Sequence, residues 1–167
     1  MKKWCILWLC VLIIAPYSAL SAQEKKTKKA QRKEQMEKVQ NMVDLQNYKF
    51  VAQYALPMSG RSIILSADYD VVVGNDSINA YLPYFGRAYV APADPTEGGI
   101  KFNSTDFDYR LEKGKKGGWM AHIDIHDGKQ RIRMTLNITT TGIAHLSVND
   151  DYRQTISFSG YVEERKR

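Results

Sequence analysis

The alternation of apolar and polar residues changes period near residue 47. From Ala30 to Leu45 the chain holds good helix formers with no glycine or proline, and Met36, Val39, Met42 and Val43 recur at helical spacing. The spacing predicts a short amphipathic helix whose stripe packs on the main domain. After Tyr48 the period becomes two. Tyr48, Phe50, Ala52, Tyr54 and Leu56 alternate with Lys49, Val51, Gln53 and Ala55, as in a half-buried first strand. Pro57, Ser59 and Gly60 make a turn. A strand from 62 to about 67 follows, then another through 69–73.

Hairpin registers follow from the turn residues. With Asn75-Asp76 as a tight turn, Val73 opposes Ile78, Val71 opposes Ala80 and Tyr69 opposes Leu82, all on one apolar face. Asp127-Gly128 suits a type I′ turn. It would set Ile125 against Gln130, Ile123 against Ile132, Ala121 against Met134 and Trp119 against Leu136. The polar face would then pair His126 with Lys129, Asp124 with Arg131 and His122 with Arg133. Thr140-Thr141-Gly142 suits a three-residue loop with Gly142 at positive φ, placing Ile138 opposite Ala144 and Leu136 opposite Leu146. Asn149-Asp150-Asp151 returns the chain to a last strand with Ile156 and Phe158 inward. The expected fold is all-β: an antiparallel meander of about eight strands, rolled into a barrel or folded as a sandwich, behind a short N-terminal helix. Short connections leave no room for βαβ crossovers. The one long connection, residues 83–101, carries three prolines and three glycines. Loops of that length in compact domains often serve function.

The N-terminus changes the setting. Lys2 and Lys3 precede an apolar run over residues 4–14, and small residues around Ala19, Ser21 and Ala22 suit cleavage. Residues 1–22 read as a secretory signal, too short to span a bilayer as a helix. The domain boundaries expected are 1–22 for the signal, 23–46 for a basic leader and helix, and 47–167 for the β domain. Both cysteines, Cys5 and Cys10, lie in the signal. The mature chain would hold no disulfide, thiol nucleophile or sulfur-bound zinc. Leu9 stands where a lipidated Cys10 would need a small residue, which argues against a lipoprotein.

Loss of Lys2 and Lys3 takes the net charge from +6 to +4. Residues 24–38 hold seven basic and three acidic side chains, so residues 39–167 balance at fifteen against fifteen. The basicity belongs to a leader. No nucleic-acid partner is expected, because an exported chain rarely meets one and the folded part has no excess charge. The leader can make weak contact with an anionic membrane surface, at most about 1 kcal/mol per charge.

Candidate chemistry is sparse. His122, Asp124 and His126 alternate along one strand, but two strand steps put the histidines about 13 Å apart, too far for one ion. No metal or other cofactor is expected. The stretch Lys113-Gly-Lys-Lys-Gly-Gly118 lacks phosphate-loop spacing, and no Gly-x-Ser-x-Gly elbow occurs. With no catalytic signature, the reading favours binding over catalysis. The candidate surface is aromatic: Tyr81, Tyr84, Phe85 and Tyr89 crowd around Pro83, Gly86 and Arg87. Tyrosines offer an apolar face and a hydroxyl to sugars, lipids or peptides, and Arg87 can fix an anion. The opposing reading is that these rings close the core beneath the long loop.

Four segments carry a resemblance. Tyr81-Leu-Pro-Tyr-Phe-Gly-Arg-Ala-Tyr89, Gly98-Gly-Ile-Lys-Phe102, Gly117-Gly-Trp119 and Ser157-Phe-Ser-Gly-Tyr161 resemble, in that order, the domain of unknown function 4251 family of small exported Bacteroidetes proteins. The resemblance spans roughly residues 30–165. It implies a periplasmic, outer-membrane-associated or secreted protein with a compact β-rich domain, and transfers no catalytic residue. The expected function is non-enzymatic ligand binding through an aromatic cleft in the envelope. The alternative is a structural or assembly partner of an outer-membrane protein, docking through a strand edge or the leader. A hydrolase of envelope polymers has no site to argue for it.

Overall fold

The computed structural model describes residues 15–90, 98–114, 117–126 and 131–165, with side chains from residue 28 onward apart from Ala67. The apolar run of the signal, the Asp127-Gly128 turn and part of the glycine-lysine stretch lie outside the described residues. Contacts divide the chain into two units, Met1–Gln35 and Met36–Arg167.

Helix α1 (Ala15–Asp44) is longer than its apolar stripe. It begins upstream because residues 15–44 contain no glycine and their one proline, Pro16, sits in the first turn, where a missing N–H costs nothing. The described side chains of its first unit, from Lys28 on, are exposed. In the second unit Val39 and Val43 are fully buried in the core and Met42 packs against it, as the stripe predicts, while Met36 remains exposed. The helix ends in a Schellman turn. Gln46 takes φ 46°, its N–H donates to Val43 O at 3.2 Å, and Asn47 N–H donates to Met42 O at 3.0 Å. That reversal delivers the chain directly into the first strand. No helix among the described residues is long and apolar enough to cross a membrane.

Among the described residues nine antiparallel strands follow: β1 (Tyr48–Pro57), β2 (Ile63–Val73), β3 (Ile78–Leu82), β4 (Ile100–Ser104), β5 (Phe107–Lys113), β6 (Trp119–Ile125), β7 (Ile132–Ile138), β8 (Ile143–Asp150) and β9 (Arg153–Glu164). Their order is β4-β3-β2-β1-β9-β8-β7-β6-β5, one nearly closed, barrel-like sheet and not a sandwich. Every neighbouring pair is consecutive in sequence except β1–β9, which joins the two halves. The sheet ends at β4 and β5. Tyr48, Phe50, Leu82, Met134, Leu136, Leu146 and Phe158 are fully buried and fill the inside.

The registers built on Asn75-Asp76 and on Gly142 match the structure. Val73 pairs with Ile78 and Val71 with Ala80, though the ladder ends at Asp70–Tyr81, short of the expected Tyr69–Leu82 pair; Leu136 pairs with Leu146 and Ile138 with Ala144, with Gly142 at φ 91°. Ile156 and Phe158 are buried. Three expectations need correction. First, the β1 face does not alternate throughout. A bulge between Ala52 and Tyr54 turns Ala55 inward and leaves Tyr54 and Leu56 exposed. Second, the two short strands expected over 62–73 are one irregular strand, β2, bent where it crosses that bulge.

Third, the β6–β7 register is two residues from that of a tight Asp127-Gly128 turn. Ile125 pairs with Ile132, Ile123 with Met134, Ala121 with Leu136 and Trp119 with Ile138. The tight turn would have placed Gln130 on the inner face; the observed register pairs apolar with apolar at every inner step. His126 N–H instead donates to Asp106 O at 3.0 Å, drawing the strand end toward the β4–β5 turn. Because the shift is even, each side chain keeps its face.

A polar contact links β1 and β5. The hydroxyl of fully buried Tyr48, on β1, meets that of Tyr109 on β5 at 3.3 Å. Burial pushes both phenols above the ordinary value of 10.0, Tyr48 strongly; the nearby Tyr109 and Asp44 charges add to the respective shifts. The folded state therefore holds these protons after the unfolded chain has released them. Their contribution is complete below pH 10 and is lost as pH climbs toward the raised values. We expect alkaline unfolding to set in above pH 10, with phenolate absorbance rising together with loss of circular dichroism. Tyr48→Phe should uncouple part of the two; phenolate formation well before any loss of structure would contradict this.

Candidate functional site

The start of the long loop folds back on the start of β9. Ala88 bridges Arg153, Tyr89 N–H donates to Tyr152 O at 2.8 Å, and Gln154 N–H donates to Arg87 O at 3.0 Å. Tyr84 is the bolt. Its half-buried hydroxyl shares its proton between Arg87 O at 2.9 Å and Gln154 O at 3.0 Å. Burial raises the phenol above 10.0, against the Gln154 hydrogen bond and the Arg153 charge, which pull it down.

Arg153 organises this corner. Its guanidinium lies 5.2 Å from the Tyr84 ring centroid, donates to Gly99 O at 2.8 Å and approaches Asp150 Oδ2 at 3.6 Å. Asp150 is one of two buried polar residues among those described, and its Oδ1 accepts Tyr152 N–H at 2.8 Å. One side chain thus ties both ends of the long loop to the β8–β9 turn.

The five candidate residues separate accordingly. Tyr84 is a closure residue, as the core reading of the aromatic cluster predicts. Arg87 contributes its carbonyl to the loop and keeps an exposed side chain. Phe85 and Tyr89 stand out from this frame, 37% and 65% exposed, with Val90 beside them at 51%. Tyr81 belongs to other contacts. It stacks on Tyr69 at 5.4 Å and lies under the Lys101 ammonium at 5.0 Å, on the outer surface of β2–β4. Sequence reasoning missed Arg153, Asp150 and Gly99. Partners 54 and 70 residues apart leave no local signal.

On β6 and just past its end, the alternating His122, Asp124 and His126 turn toward β5, each to a different partner. His126 Nε2 meets Asp108 at 3.1 Å, His122 Nε2 lies 3.9 Å from Glu112, and Asp124 pairs with Arg110 at 3.6 Å. The expected Asp124–Arg131 and His122–Arg133 pairs do not form; the register sets Asp124 beside Arg133 and His122 beside Thr135. Among the described residues no group of three or more His, Cys, Asp or Glu is placed to hold a metal.

Comparison with known proteins now adds the family. The model for the domain of unknown function DUF4251 matches residues 30–162. A crystal structure of a DUF4251 family protein from Bacteroides eggerthii is similar at a TM-score of 0.59 and 15% identity. The match covers 78% of this chain and 87% of that one. It supports the fold alone. No curated protein matches the chain.

Proposed function

Since the chain belongs to the DUF4251 family, which carries a fold and no stated activity, we propose that it is an exported envelope domain that binds its ligand non-covalently at the rim loop. Export rests on the basic, apolar and small-residue order of residues 1–22. Periplasmic, outer-membrane-associated and secreted locations all fit that signal. The observation that carries the binding reading is the exposure of Phe85 and Tyr89 on a loop already clamped to β9. A loop backbone held in place before contact loses little entropy on binding, and an exposed arginine nearby supplies an anion contact. Large side chains fill the inside of the barrel, which directs a ligand to this outer rim. Envelope glycans, lipids and peptides all offer a face for the rings.

The test is a thermal-shift screen of the full chain against those three classes. A ligand at a hundred times its Kd should add about 2.7 kcal/mol. The shift should disappear in Phe85→Ser/Tyr89→Ala and weaken in Arg87→Gln. Tyr84 is unsuitable as a binding probe, since its loss loosens the loop itself. A shift untouched by the double variant would sink the rim reading.

A second reading is assembly with an outer-membrane protein. Among the described residues, the sheet ends at β4 and β5 with one unladdered edge each, and such an edge can accept a strand from a partner. It predicts capture of one envelope protein, lost when a proline is placed in β5.

A further inference from the structure

The outer face of β5–β9 contains a hollow of about 430 Å³. Its charged lining is Arg110, Asp124 and Arg133, with His122 beside them; Thr135, Ser147, Asn149 and Thr155 add polar groups and Met134 an apolar one. The three hydroxyl-bearing residues are half-buried. Thr135 and Ser147 are paired on both sides, so the ladder sets their positions, while Thr155 lies at the β8–β9 register shift.

The charge pattern is asymmetric. Each carboxylate of this face is engaged: Asp124 with Arg110, Glu112 with His122, and Asp108 with His126. Arg133 stands directly across the ladder from Asp124, yet Asp124 turns to Arg110 on the other side. The Arg133 side chain makes no ion pair or hydrogen bond among the described residues. Its guanidinium is a planar fork suited to a carboxylate or a phosphate. Thr135 Oγ1 and His122 Nδ1 are 3.4 Å apart, a long hydrogen bond across the β6–β7 pair.

We propose that this hollow is a second binding site, for a hydroxylated ligand carrying one carboxylate or phosphate, such as an acidic sugar. Arg133 takes the acid group. Ser147, Asn149 and Thr155 meet the ligand hydroxyls, because short polar side chains on rigid strands surrender little entropy. Arg110 holds Asp124 away from the incoming anion. The site shares no residue with the rim loop and does not rest on the rim reading.

The test is an amide NMR titration of the full chain with glucuronate, glucose 6-phosphate, inorganic phosphate and glucose. Glucuronate or glucose 6-phosphate should shift the amides around Arg133, Ser147 and Asn149, and which one does so identifies the acid group. Arg133→Gln should weaken binding at least tenfold and Asn149→Ala about threefold; both positions are exposed, so the fold should survive. Phe85→Ser/Tyr89→Ala should leave these shifts unchanged, separating the two sites. Three results would overturn the proposal: no response to either acidic sugar at millimolar concentration, an equal response to glucose, or unchanged binding in Arg133→Gln. Shifts reproduced in full by inorganic phosphate would remove the role of the lining hydroxyls and overturn it as well.

Discussion

Gly160→Ala should prevent the protein from folding stably, at a cost above about 3 kcal/mol. Gly160 sits in β9 between Ala52 of β1 and Ala144 of β8, a row of small buried residues across the β1–β9 junction. A methyl group there would press deep into the carbonyl of Val51 and within 2.9 Å of its carbon, and both atoms are backbone. A flexible side chain could turn aside, but a strand held on both edges cannot. The β1 bulge begins one residue further on, where the register with β9 shifts. Gly98 is the control. A Cβ there meets nothing within 4 Å, and Gly98→Ala should change stability by less than about 0.5 kcal/mol. Soluble yield and urea midpoints report both. A cooperative Gly160→Ala protein within about 1 kcal/mol of the parent would refute the packing argument.

Arg153→Met should cost about 3–5 kcal/mol, the range for removing one partner of a buried ion pair. The Asp150 side chain is only 5% exposed, so its carboxylate would be left with the Tyr152 N–H and no cation. Gly99 O loses its donor and the Tyr84 ring loses the guanidinium beside it. Both tethers of the long loop would slacken together. Limited proteolysis within residues 83–99 should therefore accelerate more than global unfolding does. Arg153→Lys keeps the charge and cannot serve all three partners, and should fall between the two. Loss of stability without faster loop cleavage would show that Arg153 supports the β8–β9 turn alone.

These two expectations rest on different kinds of legibility. Gly160 lies in one of the segments that carry the family resemblance, and so does Gly118, whose added methyl would strike the carbonyl of Ile138. Sequence marks such positions without saying which backbone approaches them. Arg153 has no mark at all. The aromatic cluster was visible as a cluster, but nothing local distinguishes Tyr84, which closes the loop, from Phe85 and Tyr89, which face outward. The polar hollow was equally hidden. Its residues come from five strands, and alternation says only that each points away from the core.

Local chemistry determined the helix stripe, the inward face of most strands, and the two hairpins whose turns left a single favourable pairing. Period and turn geometry act over a few residues, so they are written locally. Tertiary structure decided the β6–β7 register, where matching apolar residues across the ladder outweighed a favoured turn dipeptide. It decided the β1 face switch, the β1–β9 junction and the meeting of Arg153 with Tyr84 and Gly99. Each of those depends on groups brought together from distant parts of the chain, and their energies exist only once the sheet has rolled.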